Sequence, residues 1–257
     1  MSKKRRVPCL ILLASLLCCI CTVALCFLFG IPSPLGISAY LMGDLPTIDS
    51  YPTAPPRGSD PVILFSDNFS DPKSGWQTGS WNNGRVNYSE GSYDISVVDN
   101  NIFTYLDRTF PSDVSIEVDV TVAEDEFTSG MAGYFGAICR NHAQDDGYQF
   151  TFGGDSDMMF PKSAYPSIGK LGDGTVTSLI TSAEYGSIFL WPEHWGKTHH
   201  LRVDCIGDQL TLYINGYLVQ RVSDAAYSTD GQVGLFGGRE GTANMLYRFD
   251  NLVIYQP

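Results

Sequence analysis

Residues 199–222, HHLRVDCIGDQLTLYINGYLVQRV, admit few folds. Leu201, Val203 and Cys205 alternate with His200, Arg202 and Asp204. After Gly207-Asp208, Leu210, Leu212 and Ile214 alternate with Thr211 and Tyr213. Successive side chains of a strand point to opposite faces, so this alternation predicts strands with one apolar face. Asn215-Gly216 follows, and both residues tolerate the positive φ of a type I′ turn. The stretch therefore predicts three strands in a meander.

The same pattern recurs upstream and downstream. Short β runs are predicted at 62–66, 86–89, 92–97, 102–109, 114–122, 132–140, 148–153, 168–170, 176–180, 233–236 and 245–255. Turn residues separate them, no amphipathic helix interrupts them, and no internal repeat is evident. Stacking or closure of two sheets hides the edges of so many strands. The expectation is an all-β jelly-roll sandwich of two antiparallel sheets over residues 62–257.

The N-terminal region has another character. Residues 7–29 contain no charged side chain. As a helix at about 1.5 Å per residue this run spans roughly 34 Å, against a bilayer core of about 30 Å. Lys3, Lys4, Arg5 and Arg6 precede it, and positive charge marks the cytoplasmic side. The reading is a basic cytoplasmic tail at 1–6, a transmembrane anchor at 7–29 and an extracellular remainder on the cell membrane. The alternatives are a cleaved signal peptide, which would have a shorter apolar run and a small-residue cleavage site, and a lipoprotein signal at a cysteine. Residues 30–61 hold seven of the 14 prolines and read as a stiff, extended linker.

Charge narrows the partners. From residue 31 onward, 12 basic residues face 28 acidic ones, a net −16. Such a surface repels nucleic acid and anionic lipid headgroups. Cysteine usage narrows the chemistry. Five of the seven cysteines lie in the first 26 residues, which leaves Cys139 and Cys205 and no zinc-ligand spacing. Each alternates with apolar neighbours and so points to a buried face. Outside the cell the two can form a disulfide; otherwise they are buried free thiols.

Four segments together resemble a known fold family: FSDNFSDPKSGW at 65–76, GAICRNHAQDDGYQF at 136–150, the meander, and YRFDNLVIY at 247–255. Over residues 62–255 they resemble concanavalin A-like (laminin G-like) jelly rolls. They are most similar to membrane- or lipid-anchored bacterial envelope proteins and to 3-keto-disaccharide hydrolase-like domains. The resemblance implies that the first and last strands pair, bringing 65–69 beside 249–254. It also implies non-catalytic binding of carbohydrate or another cell-surface ligand. A glycoside-acting enzyme, hydrolase or lyase, is the alternative, and a structural or adhesion module without a small ligand is the third reading, because this superfold hosts all three.

Candidate site residues follow from chemistry. Arg140, Tyr148 and Gln149 could point into a concave sheet, joined by Lys170, Trp191 and His194. A guanidinium and an aromatic ring suit a sugar's hydroxyls and apolar face. Glu117 and Asp119 share one face of a strand and are the weak catalytic alternative, since retaining glycosidases pair two carboxylates. Family 16 glycoside hydrolases, which share the superfold, carry a further glutamate, where this chain has Thr121 and Val122. Asp67, Asp71 and Asp250 would converge if the terminal strands pair, as ligands of a structural calcium; ordinary turn capping is the other reading. No other cofactor is expected. His199 and His200 point to opposite faces and cannot readily share a metal. Trp76 and Trp81 are expected to cover the core, with exposed sugar platforms as the alternative.

Overall fold

The alternation read from the chain becomes strands almost everywhere it occurs. The structure is a computed structural model, and it describes residues 53, 61–123, 132–142, 146–155, 163–172, 175–180, 189–190, 198–240 and 244–257. Residues 1–29, with the predicted tail and anchor, lie outside the described residues, as does most of the predicted linker. No helix among the described residues is long and apolar enough to cross a membrane. Thr53, inside the predicted linker, forms an isolated antiparallel bridge with Tyr217.

The strands are β1 (Val62–Asp67), β2 (Gly79–Trp81), β3 (Gly84–Ser89), β4 (Ser92–Val97), β5 (Asn101–Phe110), β6 (Val114–Val122), β7 (Ala132–His142) and β8 (Asp146–Asp155). There follow β9 (Ser163–Gly172), β10 (Thr175–Ser178), β11 (Phe189–Leu190), β12 (Thr198–Ile206), β13 (Gln209–Ile214), β14 (Tyr217–Ser223), β15 (Gly231–Glu240) and β16 (Met245–Gln256). The short β2 and β11 carry no alternation long enough to read from sequence.

Two antiparallel sheets result. One has nine strands in the order β14-β13-β12-β6-β16-β4-β3-β2, with β1 also on β16. The other has seven, in the order β10-β9-β8-β7-β15-β5, with β11 on β9. The predicted meander is β12, β13 and β14. Its turn residues Asn215 and Gly216 have φ of 50° and 82°, the left-handed values a type I′ turn requires. The terminal strands pair as the resemblance implied, with Phe65 opposite Ile254 and Asp67 opposite Leu252.

The inner faces meet in one apolar core. Ile116, Val118 and Val120 of β6, and Leu201 and Val203 of β12, are fully buried against Ala137, Phe150 and Leu235 of the facing sheet. Each of these Val, Leu, Ile and Phe side chains contributes about 1.5–3 kcal/mol of burial. Phe69, Trp76 and Tyr93 close one end, with the Phe69 and Tyr93 rings stacked 5.4 Å apart. His199 also faces inward, between the rings of Phe135 and Phe152. Cys139 of β7 and Cys205 of β12 form a disulfide that ties the two sheets across the core.

Candidate functional site

Period-2 geometry gives each sheet a second, outer face. On the seven-stranded sheet that face is built from rows in register. One row runs Tyr105, Gly234, Ile138, Gln149, Gly169 and Ser178 across β5, β15, β7, β8, β9 and β10. The next runs Phe103, Phe236, Gly136, Thr151 and Ser167. A third holds Asn101, Gly238, Tyr134 and Gly153.

Large rings and glycines oppose each other in this grid. A Cβ on Gly234 would come within 2.7 Å of the Tyr105 ring, and one on Gly136 within 2.8 Å of the Phe236 ring. A Cβ on Gly238 would collide with the Tyr134 ring. The missing side chains let three rings lie down on the sheet. Tyr105, Ile138, Leu171 and Phe236 form a second apolar cluster, with Phe103 and Tyr134 packed on its margin. The middle of the face is buried, but Phe103, Tyr134, Thr151 and Ser167 stay half-exposed. They make an open strip with rings at one end and two hydroxyls, opposite each other in register, at the other. Gln149 lies beneath it, 4% exposed. Its Nε2 donates to Thr151 Oγ1 at 3.1 Å, and its Oε1 has no hydrogen-bond partner.

The sequence-predicted ligand residues do not assemble on this face. Tyr148 and Gln149 are neighbours on β8 and so point to opposite sides. Tyr148 turns inward, fully buried; its hydroxyl donates to Asp224 Oδ1 at 2.6 Å and accepts from the Tyr227 N–H. Burial, then the bond to Asp224, pushes its phenol up to about 12. Burial works against the Asp224 carboxylate, but Tyr148, the Ala226 N–H and Lys170 outweigh it and hold the group below its usual range. Lys170 pairs with Asp224 at 3.7 Å.

Arg140 is a structural residue. It sits at a bulge with φ of 52°, and its side chain is 1% exposed. Its guanidinium donates to the carbonyls of Ser112 (2.7 Å), Tyr227 (2.9 Å) and Gly207 (2.9 Å) and to Asp113 Oδ1 (3.3 Å). A guanidinium's fork of fixed donors suits a junction of three loops as well as a ligand, and here the loops take four hydrogen bonds from it. Gln149 alone of the described candidates lies under the open strip. Trp191 and His194 lie outside the described residues.

Glu117 and Asp119 do share a face, the outer face of the nine-stranded sheet, away from the aromatic rows. Glu117 is buried and accepts from the Tyr255 hydroxyl at 2.8 Å. Asp119 contacts His200 Nδ1 at 2.8 Å and accepts from Asn251 Nδ2 at 3.0 Å. His200 Nε2 lies 3.6 Å from Glu117 Oε2, so the ring spans both carboxylates. Arg202 forms a two-pronged pair with Asp204, at 2.9 and 3.0 Å, beside them. These carboxylates are bonded by the protein's own side chains.

The three aspartates of the calcium reading act as turn caps. Asp67 accepts from the Phe69 N–H and the Ser74 hydroxyl, Asp71 from the Lys73 N–H, and Asp250 from the Asn251 N–H. Among the described residues no group of three or more His, Cys, Asp or Glu converges to hold a metal ion. Trp76 covers the core as expected, whereas Trp81 is 51% exposed at the β2 edge.

Phe103, Tyr134, Thr151 and Ser167 were not among the sequence candidates. A signal for Tyr134 and for the face it lies on exists in GYFGAI on β7 and VGLFGG on β15; Phe103, Thr151 and Ser167 lie on other strands. In each of the two motifs, glycines and rings alternate at period 2 on the face opposite the core residues.

No protein-family profile matches the chain, and no curated protein matches it in sequence. Solved structures do match in fold. The catalytic domain of an endo-1,3-β-glucanase (laminarinase) from Thermotoga petrophila RKU-1 is 11% identical, with a TM-score of 0.50 over 77% of this chain and 98% of that one. LamAcat from Zobellia galactanivorans is 14% identical, with a TM-score of 0.50 over 76% and 98%. The CBM2 module of an evolved Dit protein of Lactobacillus casei BL23 phage J-1 is 12% identical, with a TM-score of 0.51 over 76% and 95%. The described chain is thus a jelly-roll sandwich of the kind these proteins use. At such identities the likeness shows the fold alone.

Proposed function

We propose that this chain displays its sandwich outside the cell on an N-terminal membrane anchor and binds carbohydrate without cleaving it. The observation that carries the reading is the open strip of Phe103, Tyr134, Thr151 and Ser167. Ring faces stack on the C–H faces of a pyranose, and hydroxyls meet its oxygens. The fold likeness to a laminarinase is in keeping with a sugar ligand. The Cys139–Cys205 disulfide supports an oxidising compartment, and the uncharged run at 7–29 behind Lys3–Arg6 supports the anchor.

The test is a polysaccharide-binding screen of the full chain in detergent, with calcium and with chelator, and with cleavage products followed in parallel. Binding without products is expected, weakened about three- to tenfold by Phe103→Ala or Tyr134→Ala. Release of products would overturn the non-catalytic reading and turn attention to Glu117 and Asp119. A folded sample that binds no sugar would overturn the carbohydrate reading. Carbonate-resistant membrane association and cleavage by protease added outside the cell are the expected results for the address.

A further inference from the structure

We propose that the strip takes an uncharged sugar, with Gln149 as the positioning residue that turns Thr151 into a donor; this rests on the carbohydrate reading above. The three register rows hold no Asp, Glu, His, Lys or Arg among the residues given for them. The strands of the seven-stranded sheet carry four Lys or Arg residues among the described residues, and all four are engaged elsewhere. Arg108 lies over the rings of Phe65 and Phe110. Arg140 is buried in its three loops, Lys170 pairs with Asp224, and Arg239 pairs with Asp99 at 3.6 Å. A uronate or sulfate ester therefore meets no described cation on this face, and the net −16 from residue 31 onward repels it before contact. Hydroxyls and C–H faces meet rings, threonine and serine instead.

The hydrogen-bond direction follows from Gln149. Its Nε2 donates to Thr151 Oγ1, so a lone pair of that oxygen is occupied from below. The hydroxyl proton of Thr151 is then left to point outward, toward a ring or hydroxyl oxygen of the sugar. Ser167, its register partner on β9, supplies a second hydroxyl beside it.

The experiment uses the full chain in detergent with two sets of probes. The neutral set is a soluble β-1,3-glucan and a mannan; the acidic set is alginate and dextran sulfate. Retention on a neutral probe and none on the acidic ones is expected, with affinity unchanged between about 50 mM and about 500 mM salt. Thr151→Val should weaken neutral-sugar binding about five- to tenfold while Thr151→Ser retains it. Gln149→Leu should weaken it by a similar factor. The double variant Gln149→Leu/Thr151→Val should bind no more weakly than Thr151→Val alone, because the two groups act through one hydroxyl. Binding confined to acidic probes would overturn the neutral-sugar assignment and leave the carbohydrate reading standing. Additive losses in the double variant would overturn the role of Gln149. A well-folded sample silent on both sets would overturn the carbohydrate reading itself, and this inference with it.

Discussion

Arg140 shows how one side chain's partners decide its role. Guanidinium chemistry serves a sugar or three carbonyl groups equally well, and sequence does not say which. Burial does: at 1% side-chain exposure, its donors are spent on Ser112, Gly207 and Tyr227. Arg140→Lys keeps the charge and loses the fork. It should lower stability by about 2–4 kcal/mol, read from urea unfolding, because carbonyls are left unpaired in the interior. Tyr148 has a measurable pH signature. Its phenol is raised from 10.0 to about 12, so the folded state favours the protonated form. The stability this contributes is fully present below pH 10.0 and is lost as pH rises through about 12. Burial likewise raises Tyr93 and Tyr247, so the informative quantity is a difference. Tyr148→Phe should show a shallower loss of stability over that window than the parent chain.

At the scale of elements, β16 does the most. It pairs with β6 along one edge and with β4 and then β1 along the other. Its register against β6 shifts between Asp250 and Val253, where Asn251 takes φ of 52°. The shift lets both halves of the strand keep apolar residues inward, Tyr247 and Phe249 before it and Leu252 and Ile254 after it. Asn251→Ala should cost about 1–2 kcal/mol, since alanine resists a left-handed backbone and cannot donate to Asp119. Thermal unfolding in which Asn251→Gly restores most of the loss would assign the effect to the backbone. Neither the shift nor its position is visible in YRFDNLVIY, because alternation is interrupted by one polar pair and both registers look alike.

At the scale of the whole molecule, the disulfide is the one side-chain cross-link between the sheets among the described residues. Cys139 and Cys205 are 66 residues apart in sequence. Closing a loop of that length restricts the unfolded chain by about 4 kcal/mol in the chain-entropy account. The Cys139→Ala/Cys205→Ala variant should lose about that much in chemical denaturation while keeping the same far-ultraviolet dichroism. If its loss were below about 1 kcal/mol, packing alone would be holding the sheets together.

Much of this architecture was legible in the chain. Alternation set the strands and Asn215-Gly216 set a turn, because period and turn chemistry are local properties; inward parity left Cys139 and Cys205 as a bridge or two buried thiols, and the structure shows the bridge. The site was less legible. Period 2 already separates Tyr148 from Gln149, but which side faces the core depends on what the opposite sheet presents. The rings of Tyr134 and Phe236 lie flat only because Gly238 and Gly136 sit across from them in register. Glu117 and Asp119 share a face by sequence alone, yet their distance from the aromatic strip follows from their placement in the other sheet. Local patterning thus determined the elements and which residues share a face; pairing between strands far apart in sequence decided which polar groups were satisfied and which stayed exposed.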